Sequence, residues 1–215
     1  MIFAVKVFSG AGLARMRGRI AENHKQIESR NTAHRSFGYD IKKGIRFVMS
    51  KTLPLRGRIL EIGTGKGRFT AALARSLKNL DTVDLNRAEV ESAFLYLAWH
   101  RMNKRVRFHV GDAARLPWKD GYFDAVVSMN VVHHMRAPMR VVAEMLRVVR
   151  PGGKVVLADF DRAGFRLMAA IQRRMGRVHP GGRAGLWDIR RRFAGQVRKT
   201  SGYCGFKQEI VVLKK

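Results

Sequence analysis

Cysteine is almost absent from this sequence: Cys204 is the only one in 215 residues. No intrachain disulfide can form, which excludes a disulfide-stapled secreted scaffold and makes a reducing cytoplasm the expected setting. Acidic residues are scarce as well. Sixteen Asp and Glu stand against 43 Lys and Arg, a formal net charge of +27. Such an excess attracts anionic partners, whether nucleic acid, an anionic membrane surface or acidic substrates, and says nothing about fold. No apolar stretch approaches the roughly 18 residues that suggest a membrane-spanning helix. Residues 1–14 are mildly apolar, but Arg15, Arg17 and Arg19 follow them, the reverse of a secretory signal. That stretch reads as an N-terminal arm, with Met16 a second possible start. Repeats and low-complexity runs are missing too. A hydrophobic fraction of 46% suits one globular domain with a sizeable core.

What is present is an alternation of strands and helices. The first forty residues are polar, basic and short of apolar periodicity. From Ile41 the pattern turns helical through Ile45 and Val48, and Leu53-Pro54 ends it. A buried strand over 58–62 leads to a Gly-rich turn, then an Ala- and Leu-rich helix over 68–78. A second strand ends at Thr82-Val83-Asp84. Asn86 is placed to cap the next helix, with Glu89 in capping-box position. Val106, Phe108 and Val110 alternate with polar residues as a third strand. Residues 123–129 are apolar throughout, which suits a central fourth strand. A helix over 137–149, opened by Pro138 and stopped by Pro151-Gly152-Gly153, precedes a fifth strand over 154–158. These elements predict an α/β fold with a doubly wound, mostly parallel sheet of six or seven strands and helices on both faces. Beyond them, residues 162–199 hold eleven basic residues and one acid, Asp188. Two arginine-rich amphipathic helices are expected there, then a last strand over 208–213. Three segments result: a basic arm or lid (1–40), a ligand-binding core (41–160), and a basic helical segment with the last strand (161–215).

The chemistry is carried by four features at the carboxyl ends of these strands. The turn Glu61-Ile62-Gly63-Thr64-Gly65-Lys66-Gly67 spaces glycines so that backbone can approach a ligand closely. A dinucleotide fingerprint would need its third glycine at Arg68, and a phosphate-cradling loop would need a glycine at Leu60 and a hydroxyl at Gly67. Neither pattern fits. Asp84 follows at the end of the next strand, about 20 residues on, where an acid can accept from both hydroxyls of a ribose. Gly111-Asp112-Ala113 closes the third strand. The run ending Asn130-Val131-Val132-His133-His134 closes the fourth. No metal-ligand set is expected.

In their order and spacing these residues resemble the class I S-adenosylmethionine-dependent methyltransferases, in particular the group that modifies quinones, sterols and other small acceptors. The resemblance runs from about Ile41 to Phe160 and includes Leu116-Pro117 and the stretch Leu146 to Gly153. It implies S-adenosyl-L-methionine as cofactor. Glu61, Gly63, Thr64, Gly65 and Gly67 would hold its methionine part and Asp84 its ribose. Leu85 would lie on the adenine, Asp112 and Ala113 at the adenine edge, and Asn130 would present a backbone carbonyl. Lys66 is expected to face solvent. Tyr39 resembles aromatic lid residues of such enzymes.

A methyl on a sulfonium is already electrophilic, so alignment and exclusion of water supply most of the expected acceleration. A base is needed only where the acceptor must lose a proton, and His133 and His134 are the candidates. The chain departs from the family at its end: only one strand of the usual antiparallel hairpin is evident, unless another is disguised near 197–203. Arginines across 165–192 sit where such enzymes shape the acceptor site. Two functions follow. One is methylation of a small or lipid-like acceptor, with basic helices on an anionic membrane. The other is RNA methylation, with arm and tail on phosphates. The segment after strand four lacks the Asn/Asp-Pro-Pro-aromatic motif of base-amine methylation, and no aromatic stacking strip lies outside the core, so the small acceptor is preferred.

Overall fold

The computed structural model describes residues 3–4, 12, 15–176 and 185–215. Most of the expected arm (1–14) and part of the arginine-rich stretch (177–184) therefore lie outside the described residues. The chain runs β1 (Phe3–Ala4), α1 (Arg17–Ser36), α2 (Ile41–Thr52), β2 (Ile59–Ile62), α3 (Arg68–Ser76), β3 (Leu80–Asp84), α4 (Arg87–Trp99), β4 (Val106–Val110) and β5 (Phe123–Met129). It continues with α5 (Pro138–Val148), β6 (Val149–Phe160), α6 (Arg162–Arg174), α7 (Leu186–Phe193), β7 (Lys199–Gly205) and β8 (Gln208–Lys214).

One sheet, ordered β1-β4-β3-β2-β5-β6-β8-β7, collects every strand. Strands β2 to β6 pair in parallel, while β8 joins β6 and β7 joins β8 antiparallel. The mostly parallel, doubly wound class is borne out, with seven longer strands and the two-residue β1 added at one edge. The disguised strand near 197–203 is real: it is β7. Its alternation of Lys, Ser, Tyr and glycines leaves it largely exposed at the sheet edge, so no apolar run marks it.

Side-chain alternation divides the core between the two faces. Val127, Val156, Ile210 and Val212 turn to the face packed by α2, α3 and α4, and Val126, Leu157, Val211 and Leu213 to the face packed by α5 and α7. Among the described residues no helix is long and apolar enough to cross a membrane.

Helix α1 was not expected. Its twenty residues bury only Ile27, Asn31 and His34, so there is no apolar stripe to read. Polar and ring contacts attach it to α4 instead. Asn23 and Ser92 exchange two hydrogen bonds (2.9 and 2.7 Å), and His24 stacks on Trp99 at 4.5 Å. Asn86 does cap α4, accepting from the Ala88 N–H at 2.9 Å, but Glu89 makes no capping box with it and pairs with Lys66 at 3.1 Å. Lys66 accordingly is half-buried and lines the cavity described below, rather than facing solvent.

The β7–β8 hairpin turns on Phe206 and Lys207, both with positive φ (50° and 62°). Left-handed backbone costs an L-residue about 1–2 kcal/mol, and Asn-Gly is the pair such two-residue turns favour. Phe206 recovers part of that through its ring contact with Phe47 at 5.6 Å. Replacing the pair by Phe206→Asn with Lys207→Gly should therefore raise stability by about 1 kcal/mol. A denaturant midpoint equal to or below wild type would refute the strained turn.

Candidate active site

Connections from β2 lead through β3 and β4 to one side of the sheet, and β5 and β6 lie on the other. The order reverses between β2 and β5, and open α/β sheets bind ligands at the carboxyl ends beside such a point. A cavity of about 890 Å³ opens there.

The β2–α3 loop forms its floor. Gly63 (φ 85°) donates its N–H to the Val83 carbonyl at 2.8 Å, and a Cβ on it would meet Val131 Cγ2 at 2.2 Å. The loops after β2 and β5 therefore touch at the reversal point, with no room for a side chain between them. Gly67 (φ 78°) closes the loop against α4, where a Cβ would meet that of Ala93 at 2.9 Å. Gly65 differs. It also has positive φ, but nothing lies within 4 Å of its would-be Cβ, so its bare backbone faces the open cavity.

Asp84, at the end of β3, ties this loop to its neighbour. Its Oδ2 accepts from the Gly65 N–H and its Oδ1 from the Asn86 N–H, both at 2.9 Å. Glu61 lies underneath, 1% exposed. Its carboxyl accepts from the Thr82 hydroxyl (2.7 Å), which in turn meets the Thr64 hydroxyl (2.7 Å). Burial pushes the Glu61 carboxyl up to about 8.

Across the cavity Asn130 adopts left-handed φ (56°), and its N–H donates to the Ala158 carbonyl at 2.8 Å. Its Nδ2 donates to the Tyr39 hydroxyl at 3.4 Å, while its Oδ1 is buried without a hydrogen-bond partner. Tyr39 is buried between His34 and Phe160, and that burial raises its phenol pKa. His133 is buried too. Its Nδ1 lies 2.6 Å from Asp159 Oδ1, and its backbone N–H donates to Asp159 Oδ2 at 3.0 Å. The His134 ring, 4.0 Å from that of His133, is exposed on the cavity wall.

The fold thus brings Gly63, Thr64, Gly65, Asp84, Asn130, His133 and His134 to one cavity. Glu61 and Gly67 support it from below. Leu85 is 73% exposed and, with Asp112 and Ala113, is not among the cavity's lining residues. Asp112 instead accepts from the Ala114 N–H at 2.8 Å, and Ala113 packs on the core. Sequence reasoning missed Asp159, whose signal was an acid at the end of an apolar strand. It also missed Arg30, His34 and Arg68, which line the same cavity; two of them belong to the helix that periodicity did not show. Among the described residues no cluster of three or more His, Cys, Asp or Glu could hold a metal.

Residues 60–157 match the model of a family described as a methyltransferase domain. That match covers a little under half of the chain. A 27-O-demethylrifamycin SV methyltransferase from Amycolatopsis mediterranei is 35% identical over 111 residues, which covers 50% of this chain and 41% of that protein. A demethylmenaquinone methyltransferase from Renibacterium salmoninarum is 34% identical over 108 residues, covering 50% and 43%. The chain therefore spans less than half the length of these relatives. A Methanococcus maripaludis protein, solved and assigned as an S-adenosyl-L-methionine-dependent methyltransferase, superposes with a TM-score of 0.65 at 19% identity, covering 91% of this chain and 93% of that one. That likeness is one of fold. The match ends within β6, so α6, α7 and the β7–β8 hairpin lie beyond the matched residues.

Proposed function

We propose that this protein is an S-adenosyl-L-methionine-dependent methyltransferase acting on a small acceptor. The observation that carries the reading is the pairing of Asp84 with the Gly65 N–H at the mouth of the cavity where the strand order reverses. The residues present fit the cofactor. Gly65 leaves space that any side chain would fill, and Asn130, which lines the cavity, has a buried carbonyl oxygen with no hydrogen-bond partner among the described residues. Gly63, Thr64 and Gly65 would hold its methionine part and Asp84 its ribose. Leu85, Asp112 and Ala113, which are not among the cavity's lining residues, would complete the adenine end. When bound, the cofactor supplies an electrophilic methyl.

The chain's own part is alignment and dryness. Tyr39 and Phe160 close one wall with apolar surface, and Asn130 and Asp159 fix the loop after β5. Asp159 holds the His133 ring in one orientation, so a proton leaving an acceptor would pass to the exposed His134 or to the buried His133 beside it. The two relatives are named for small-molecule substrates, a demethylated rifamycin and demethylmenaquinone, which supports a small acceptor over RNA. An exposed free thiol at Cys204 accords with a reducing cytoplasm.

Calorimetry with S-adenosylmethionine tests this directly. The folded wild type should bind it, and both Asp84→Ala and Gly65→Arg should lose it, the first by releasing the loop and the second by filling the cavity. A well-folded wild type that binds none would overturn the reading.

A further inference from the structure

Arg68, the first residue of α3, makes no ion pair among the described residues. Its Nε and Nη2 are buried and have no hydrogen-bond partner. Burial lowers its pKa and the neighbouring Arg30 pushes the same way. The carboxylate that acts on it, Glu28, is already engaged by Lys42 (3.5 Å), Asn31 (3.1 Å) and Tyr96 (3.4 Å). His34, 6% exposed beside it, has neither ring nitrogen hydrogen-bonded, and burial, then Arg68 and Arg30, lower its pKa to about 4. Two guanidinium nitrogens held away from water without a partner are costly in a folded chain, and a ligand anion reaching them from the cavity would compensate that cost.

Arg68 also stands where two cavities meet. One is the crevice already described. The other, also about 890 Å³, lies between α1, α2, α3 and α4, and Ile41, Ile45 and Arg68 line both. Met49, Leu53, Ala71 and Ala72 extend its apolar wall. Lys42, Arg46 and Arg75 stand exposed around it, and among the described residues only Lys42 has a carboxylate partner. Glu28 lines it as well, engaged by Lys42. The remaining composition is that of a site for an amphiphile with an acidic group: a basic rim, an apolar wall and the two unpartnered guanidinium nitrogens of Arg68 at the junction.

We propose that this second cavity binds an amphiphilic acid, with its apolar body against Ile41, Ile45 and Met49 and its carboxylate or phosphate on Arg68, and that the methyl acceptor belongs to this class. The assignment of the acceptor rests on the methyltransferase reading; the anion site itself does not. Arg68 would act as a specificity-determining residue, bringing acidic acceptors to the wall of the crevice and rejecting neutral ones.

The test is calorimetry on the full chain with decanoate, decyl phosphate and uncharged decanol below their micellar range. Decanoate or decyl phosphate should bind roughly tenfold or more tightly than decanol, as a charge-assisted pair requires. The better of the two acids identifies the headgroup. Arg68→Met keeps the unbranched stem and should abolish that preference, while its ligand-free melting temperature holds or rises because an unpaired charge has gone. Arg46→Gln with Arg75→Gln, on the exposed rim, should weaken the acids and flatten their salt dependence without altering the fold.

Equal binding of acid and alcohol by the wild type would overturn the site, as would an unchanged preference or a clear loss of stability in Arg68→Met. A separate arm measures S-adenosylhomocysteine and the carboxylate-free methylthioadenosine. Arg68→Met weakening the first and not the second would show that the guanidinium serves the cofactor's own acid, and the acceptor assignment would fall. Acid binding by a wild type that takes neither nucleoside would leave the anion site standing and remove the methyltransferase reading alone.

Discussion

Gly63→Ala should lower the melting temperature by on the order of 10 °C and abolish cofactor binding. Two costs add at this residue. The backbone sits at φ 85°, where a side chain costs about 1–3 kcal/mol. The new Cβ would also stand 2.2 Å from Val131 Cγ2 and 3.0 Å from Val131 Cβ, so a rotation of the valine alone does not clear it. Forcing a methyl into a packed contact adds about 1–3 kcal/mol more. A total of about 2–6 kcal/mol corresponds to a shift of this order in a chain of this length. The displaced Val131 lies between Asn130 and the histidines, so the wall opposite the loop moves with it. Gly65→Ala is the control. Its Cβ meets nothing within 4 Å, so it should lose only the roughly 1–2 kcal/mol of its own positive φ (48°) and melt well above Gly63→Ala. Melting curves for the two variants decide the matter: if Gly63→Ala melts with wild type, the contact between the two loops is not what holds the site.

That contrast shows how far the sequence could be read. Three glycines at alternate positions announced a ligand loop, but they looked equivalent. Only the fold separates Gly63 and Gly67, which are needed for packing, from Gly65, which faces the cavity. Strand and helix order was legible because burial on both faces makes the centres of the parallel strands apolar, as at 125–127 in β5 and 155–158 in β6. Helix α1 was not, because Asn23, His24 and Glu28 attach it through polar groups that carry no periodic signal. Asp84, Asn130 and the two histidines were legible as strand-end residues. Arg68 was passed over as a helix residue after a glycine, since a lone arginine says nothing of whether a carboxylate will meet it. Asp159 was missed for the same reason: its partner His133 lies 26 residues away. Contacts between loops that meet only at the reversal point are set by topology, and no local pattern holds them.

Glu61→Gln should stabilise the ligand-free protein, by an amount that grows with pH. In the folded chain burial raises the Glu61 pKa from 4.5 to about 8. Near pH 7 the folded carboxyl is then protonated, and the unfolded one is ionised. A group whose folded pKa is raised contributes stability that is fully present below about 4.5 and is lost as pH climbs toward about 8. Each unit is worth about 1.4 kcal/mol, so by pH 7 the loss is about 3 kcal/mol. Glutamine cannot ionise, keeps an oxygen for the Thr82 hydroxyl, and should show no such decline. Urea midpoints measured near pH 4 and near pH 8 should therefore nearly coincide for the two proteins at the lower value and separate at the upper one, with Glu61→Gln higher. A constant gap at both would mean that the carboxyl is ionised throughout. The same variant separates support from contact. Glu61 is not among the residues lining the cavity and reaches the loop through Thr82 and Thr64. Cofactor affinity at pH 7 should then stay within a few-fold of wild type, whereas Asp84→Ala, at the mouth itself, loses it.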